Sequence, residues 1–218
     1  MKIRTNEDLR NLYDKLQIEL SEIRSNFPWT NKDAYVSWLV QSYEYAYNST
    51  RILAMTGGKM PRDKTKYSNR FISHAAEEKG HEKLLENDIK SFGLDMSAQE
   101  VLPQAKAFHQ SLYYWFGFDN PVGMFGWVLA LEGFAVKNVP QMYEVCLSEF
   151  GPKATSFLKV HAQEDEGHLE KAFKSISDFT PEENQLVGET MYQYSCLYGD
   201  ILKKITEKYG AKNGKNAA

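Results

Sequence analysis

Signals that start and stop α-helices recur along nearly the whole chain, whereas alternating stretches bounded by hairpin turns are nearly absent. Asn6 can cap a first helix that runs to about Ser25 and places leucines on one face. Near the other end, Thr180 and Glu183 form a capping-box pattern around a proline, which predicts a last helix ending at about Tyr209. A chain with this pattern buries its apolar residues by packing helix against helix.

Breakers between these two helices divide the intervening chain into five more helical segments. Glycine, proline and asparagine supply the breaks, and the stretch TGGKMPRDKTK is the most loop-like. The predicted segments run from about Asn31 to Met55, from Phe71 to Phe92, from a cap at Ser97, from Asn120-Pro121 with a kink at Pro140, and from just after Gly151-Pro152. We therefore predict an all-α, single-domain bundle of about seven helices over residues 1–210, followed by a flexible tail at 211–218.

The composition argues against several classes of protein. A net charge of −3 and the scattered basic residues give no support for nucleic-acid binding. No apolar run approaches the roughly 18 residues of a membrane span. The segment MKIRTNEDLR has no signal-peptide core, so we expect a cytoplasmic protein without membrane contact. Cys146 and Cys196 form no CxxC pair and are expected to be buried as small hydrophobic residues.

Four of the five histidines lie in two short windows in which they alternate with carboxylates. The windows are residues 74–81 (HAAEEKGH) and 161–168 (HAQEDEGH). On a helix that turns by about 100° per residue, His161, Asp165 and His168 fall within a stripe about 60° wide. Two such stripes facing each other across a helix bundle would form a dinuclear metal centre.

The first window and a lone glutamate complete the candidate ligand set. Glu78 and His81 share a helix face at i, i+3, and His74 lies on the same stripe. Glu132 lies in the apolar stretch WVLALEGFAV, where burying an ionised and unpaired carboxylate would cost several kcal/mol. A bound cation would remove that cost. Imidazole and carboxylate together suit iron, manganese or zinc, and neither window has the HExxH pattern of a zinc hydrolase.

The order of these motifs resembles that of the haem-oxygenase-like di-metal oxidases. ExxH is followed after about fifty residues by a lone glutamate, and after about thirty more by HxxxDxxH. The resemblance implies a haem-oxygenase-like fold and a non-haem di-iron centre that activates O2. It implies two Fe(II) ions, with manganese as an alternative, and O2 as co-substrate. The implied catalytic and metal-binding residues are Glu78, His81, Glu132, His161, Asp165 and His168, with Glu44 and His74 as further candidates.

The resemblance also implies the kind of reaction and the partners. Related enzymes oxidise small substrates such as amino acids, amines or fatty acids, with C–C cleavage, N-oxygenation or nitrile formation as outcomes, in biosynthetic pathways. The expected partner is a small-molecule substrate, and a homodimer and an electron donor are compatible with the sequence. The residues expected to line a substrate pocket are the aromatic side chains Tyr47, Phe71, Trp127, Phe134 and Phe157.

Two alternatives remain open at this point. A ferritin-like di-iron protein would use Glu44 as a ligand and would leave His161 without a role. A metal-independent binding or scaffold protein would keep the histidines as polar groups within an all-α core. The sequence favours the oxidase over the scaffold because two matched carboxylate-x-x-His units and a lone glutamate in an apolar stretch occur together. It favours the oxidase over the ferritin-like protein because only the oxidase set uses His161, and because Asp165 stands where a ferritin-like motif usually has glutamate.

Overall fold

The computed structural model describes residues 2–210, except for the side chains of residues 164–168 and 170. This part of the chain contains eight α-helices, four short 3-10 turns and no strand. The all-α prediction is therefore confirmed. The helices are α1 (Asn6–Ser25), α2 (Lys32–Lys59), α3 (Thr65–Glu77), α4 (His81–Ser91), α5 (Pro103–Phe118), α6 (Met124–Phe150), α7 (Ser156–Ser175) and α8 (Pro181–Tyr209).

Side-chain caps define where several of these helices begin. α8 has the predicted capping box, in which Thr180 and Glu183 satisfy each other's backbone N–H groups. α1 has a capping box as well, but its N-cap is Thr5, whose hydroxyl accepts from the Asp8 N–H, so the predicted cap Asn6 is the first helical residue. The predicted cap Ser97 lies within a 3-10 turn, and α5 begins later at Pro103.

The stretch predicted to be the most loop-like is partly helical. α2 continues through Gly57 to Lys59 because α3 packs closely against it at this point. A Cβ atom at Gly57 would lie 2.8 Å from Ile72 and 3.0 Å from the Ser68 carbonyl oxygen. The Ser68 hydroxyl donates to the Gly57 carbonyl at 2.7 Å. The glycine therefore allows close contact between two helices, and it does not end the first one.

The helix predicted from Phe71 to Phe92 is two helices. α3 ends at Glu77, Gly80 takes a left-handed conformation with φ of 97°, and α4 begins at His81. Both α3 and α4 pack on α2, while α4 also contacts α7. The turn thus sends the two ends of the first histidine window toward different neighbours.

The core is built around α6, which packs against α1, α7 and α8 and runs through Pro140 as one helix. The region 121–150 contains an 18-residue window that is apolar enough to cross a membrane by length and composition, so the prediction that no run approaches this length was wrong. Burial of 78% of that apolar window inside the protein accounts for its composition. Of the two cysteines, Cys146 is buried as predicted and Cys196 is exposed.

Candidate metal centre

Five histidine and glutamate side chains from four helices and one turn come together in the interior. His74 lies in the last turn of α3, Glu78 caps that helix, and His81 begins α4. Glu132 comes from α6 and His161 from α7. They form two groups, Glu78–His81–His161 and His74–Glu78–Glu132, and in each the candidate ligand atoms lie within 4.8 Å of one another.

Glu78 belongs to both groups. One of its carboxylate oxygens lies 3.6 Å from His74 Nε2, and the other lies 3.3 Å from His81 Nδ1. Its side chain is 16% exposed, and the side chains of His74 and His81 are 6% and 13% exposed. A carboxylate with one oxygen toward each group is arranged as a bridging ligand between two cations would be.

In the second group, His74 contacts Glu132. The His74 Nε2 atom lies 2.9 Å from a Glu132 carboxylate oxygen. Glu132 is only 8% exposed within the apolar helix α6, so this contact supplies the cationic partner that its burial requires. The motif order made His74 only a further candidate, whereas the structure puts it in direct contact with two of the expected ligands.

His161 is oriented by its own helix and by neighbouring rings. Its Nδ1 atom lies 3.0 Å from the Phe157 carbonyl oxygen one turn earlier, which leaves Nε2 for a metal or a substrate. Its ring packs 4.1 Å from the Phe157 ring and 4.9 Å from the His81 ring, measured between centroids. The two imidazoles thus converge from α4 and α7 onto Glu78.

A buried aspartate fixes α7 against α4. Asp88, on α4, accepts hydrogen bonds from the backbone N–H groups of Ser156 at 3.0 Å and Phe157 at 2.9 Å, and from the Ser156 hydroxyl. These are donors that the first turn of α7 cannot satisfy within the helix. Asp88 therefore ties the helix that carries His81 to the helix that carries His161.

The charges in the cluster depend on one another. Burial would lower the pKa of His74, but its contacts with Glu132 and Glu78 raise it to about 9. Burial would raise the pKa of Glu78, but its hydrogen bonds with His74 and His81 hold it well below its usual range. Burial lowers the pKa of His161. Near neutral pH the metal-free cluster therefore has an ionised Glu78, a protonated His74 and a neutral His161.

A cavity of about 90 Å³ opens beside the cluster. His74, Glu78, Glu132 and His161 line one side of it, and apolar and aromatic side chains line the rest. Among the lining residues that the structure describes there is no lysine or arginine. The apolar and aromatic wall is formed by Trp38, Tyr45, Ala46, Leu53, Trp127, Leu131, Phe134, Ala135, Val139, Phe157 and Tyr198.

The structure separates the remaining sequence-based candidates. Asp165 and His168 lie on α7, but their side chains are outside the described residues. Glu44 lies 3.7 Å from His109 Nδ1, and it belongs to neither ligand group.

Of the expected pocket residues, Trp127, Phe134 and Phe157 line the cavity, whereas Tyr47 and Phe71 do not. Tyr47 is 54% exposed, and Phe71 packs on Phe125 in the core.

Sequence comparison places this donor set in a known family. Residues 36–195 match the family described as iron-containing redox enzymes, which covers well over half of the chain. The chain belongs to this family. Its members are oxidoreductases that contain iron, and the imidazole and carboxylate groups of the cluster are ligands that iron accepts. No curated protein matches the chain.

Solved structures share the fold. A domain of unknown function with a heme oxygenase-like fold, from Shewanella denitrificans, has a TM-score of 0.79 at 23% identity, covering 96% of this chain and 98% of that one. A TenA homologue from Pseudomonas syringae pv. tomato has a TM-score of 0.77 at 13% identity, with 94% of each chain covered. A CADD-like protein of unknown function from Nostoc punctiforme has a TM-score of 0.68 at 12% identity, covering 94% of this chain and 100% of that one. The predicted haem-oxygenase-like fold is therefore confirmed.

Proposed function

We propose that this protein is a non-haem di-iron oxidase that uses O2 to oxidise a small substrate held in the apolar cavity. The observation that carries the proposal is the pair of ligand groups that share Glu78. The carboxylates of buried Glu132 and partly exposed Glu78 and the imidazoles of His81 and His161 offer the oxygen and nitrogen donors that suit iron or manganese. The donor set therefore fits two divalent ions.

The described residues divide between the two ions, with Glu78 common to both. Glu78, His81 and His161 would hold one ion, and Glu78 and Glu132 would take part in holding the other. Asp165 and His168, on the same helix as His161, are expected to complete the second site. Bound iron would supply the electrons for the reduction of O2, which none of the protein's own groups in the cluster can supply.

The protein's own residues prepare the site for this chemistry. His161 is neutral at physiological pH because burial lowers its pKa, so its ring is ready to bind a cation. His74 holds a proton at Nε2 against Glu132, and a cation that takes Glu132 releases that contact. The apolar walls exclude water and place a C–H or N–H bond of the substrate beside the cluster.

Metal analysis of purified variants tests the proposal. The wild-type chain should bind about two iron ions, and His161→Ala or Glu132→Ala should lose at least one while helical content by circular dichroism stays nearly unchanged. His109→Ala is the matched control, because His109 is a buried histidine that belongs to neither ligand group. Oxygen consumption by the Fe(II) form should be lower in His161→Ala and Glu132→Ala than in the wild-type chain and in His109→Ala. A wild-type chain that binds no iron, or whose Fe(II) form consumes no O2, would contradict the proposal.

The ferritin-like alternative makes the opposite prediction for one pair of variants. It needs Glu44 as a ligand, so Glu44→Ala should lose iron while His161→Ala keeps it. The contact between Glu44 and His109 favours the oxidase assignment, in which Glu44→Ala keeps most of its iron.

A further inference from the structure

The polar atoms of the cavity wall are nearly all paired within the protein. The Trp38 indole N–H donates to the Tyr198 hydroxyl at 3.1 Å, and the Tyr45 hydroxyl donates to Ser42 at 3.2 Å. The Ser49 hydroxyl donates to a backbone carbonyl oxygen at 2.8 Å. These groups are therefore committed to internal hydrogen bonds, and they present mainly ring and methylene surface to a ligand.

Trp127 differs from them. It lines the cavity, and the residue is only 4% exposed. Its indole Nε1 has no hydrogen-bond partner in the part of the chain that the structure describes. A buried N–H without an acceptor costs about 1–3 kcal/mol. Tryptophan in a core usually finds a partner for this group. An acceptor brought by a ligand would satisfy it.

We propose that Trp127 positions the substrate by donating a hydrogen bond from Nε1 to an acceptor oxygen on an otherwise apolar molecule. This inference rests on the proposed function in taking the cavity as the substrate site. The described cavity wall has no lysine or arginine to pair with an anionic group, which favours a neutral oxygen such as a carbonyl or hydroxyl at this end. Trp127 and Glu132 line the same cavity, so a ligand held there lies beside the metal cluster.

The size of the cavity restricts the ligand further. At about 90 Å³ it is smaller than the engineered cavity of roughly 150 Å³ that accepts benzene. The group that enters beside Trp127 is therefore a short aliphatic one. The part of the substrate that fills this space is therefore a carbonyl, hydroxyl or amide group on a branched or short linear carbon chain.

Two small probes of equal heavy-atom count separate hydrogen bonding from apolar burial. Butan-2-one carries a carbonyl acceptor, whereas 2-methylbutane has none, and their dissociation constants can be measured by NMR titration of the full-length chain. Butan-2-one gives up hydrogen bonds with water on binding and 2-methylbutane does not, so the preference is expressed as the ratio of the two dissociation constants and is compared between wild type and variant. Trp127→Phe keeps an aromatic ring without the N–H, so this ratio should shift at least threefold against butan-2-one.

Matched variants keep the test specific. Trp115→Phe removes an indole N–H that bonds to Gln193 away from the cavity, and it should leave the preference unchanged. Ala135→Leu fills the cavity and should weaken binding of both probes. An unchanged ratio in Trp127→Phe, or a wild-type chain that does not bind butan-2-one at millimolar concentration, would overturn the proposal. The titrations are made with and without anaerobic Fe(II), so that probe binding is measured independently of bound metal. Iron stoichiometry tests the metal assignment separately.

Discussion

The two histidine windows have nearly the same sequence and different structures. Residues 74–81 read HAAEEKGH and residues 161–168 read HAQEDEGH, each with a glycine just before the second histidine. In the first window the helix ends at Glu77 and a new helix begins at His81. In the second window α7 continues without a break from Ser156 to Ser175.

This difference sets what each window can contact. On one continuous helix, His74, Glu78 and His81 would face a single neighbour. The break lets His74 reach Glu132 on α6 while His81 reaches His161 on α7, with Glu78 between them. A break in one of two similar windows therefore produces two ligand groups with a shared carboxylate.

The largest expected effect follows from replacing that shared carboxylate. Glu78→Ala removes a ligand from both groups at once, so iron stoichiometry should fall from about two per chain to below one. Removing Glu132 alone should cost only one ion. Metal analysis after anaerobic loading with Fe(II) and gel filtration measures both.

The neighbouring glutamate is the control for this variant. Glu77 is the last residue of α3, lies 3.3 Å from Arg70 and belongs to neither ligand group. Glu77→Ala should therefore retain the wild-type iron content. If Glu78→Ala still holds two ions, the bridging assignment is wrong.

The sequence predicted that Glu78, His81, Glu132 and His161 lie together, but it did not predict how they are arranged. Spacing brought Glu78 and His81 together, and the apolar surroundings of Glu132 predicted its burial and its need for a cationic partner. The break at Gly80 could not be predicted locally, because the second window contains an equivalent glycine within a helix. Packing of α3 and α4 on their neighbours decides it.

Two further features depend on contacts between distant parts of the chain. Glu44 looked like a ligand by spacing, but its partner is His109, 65 positions later on α5. Asp88 gave no signal in the sequence, because an aspartate near the end of a helix is usually exposed. Its role arises only when α7 begins beside it.

A second large effect is expected where the two windows are tied together. Asp88→Ala leaves the N–H groups of Ser156 and Phe157 without their acceptor, which should lower the free energy of unfolding by about 2 kcal/mol. Because Asp88 joins α4 to α7, iron affinity should fall as well. Ile205→Ala is a buried substitution on α8, away from the cluster, and it tests whether lost stability alone weakens iron binding. Equal iron affinity in the two variants would argue against a positioning role for Asp88.

A smaller effect is expected from the glycine that breaks the first window. Gly80→Ala meets no atom within 4 Å of the new Cβ, so its cost is the left-handed backbone alone, about 1–2 kcal/mol. Gly58→Ala is the contrasting substitution, because Gly58 lies in helix α2 with open space around it. It should stabilise the protein by about 0.5–1 kcal/mol. Urea unfolding should therefore move in opposite directions for the two variants, and a stabilising Gly80→Ala would mean that the break is not needed.

The last predicted effect is a pH dependence in the metal-free protein. Contacts with Glu132 and Glu78 raise the pKa of His74 to about 9 from an ordinary value of 6.5. A raised histidine pKa contributes stability that is fully present below pH 6.5 and is lost as the pH rises through about 9. The melting temperature of the metal-free chain should therefore fall by several degrees between pH 7 and 9.5, a shift on the scale of roughly 2–4 °C per kcal/mol for a chain of this size.

His74→Gln shows whether this slope comes from the contact with Glu132. Glutamine can still donate to the carboxylate but does not titrate, so the variant should show a flatter melting profile over this range. His109→Gln leaves the His74–Glu132 contact intact and should keep the wild-type slope. Bound Fe(II) should remove the dependence as well, because a cation at Glu132 replaces the proton on His74 as its partner. An equally steep slope in His74→Gln would assign the titration to another group and would separate the first histidine window from the pH response of the cluster.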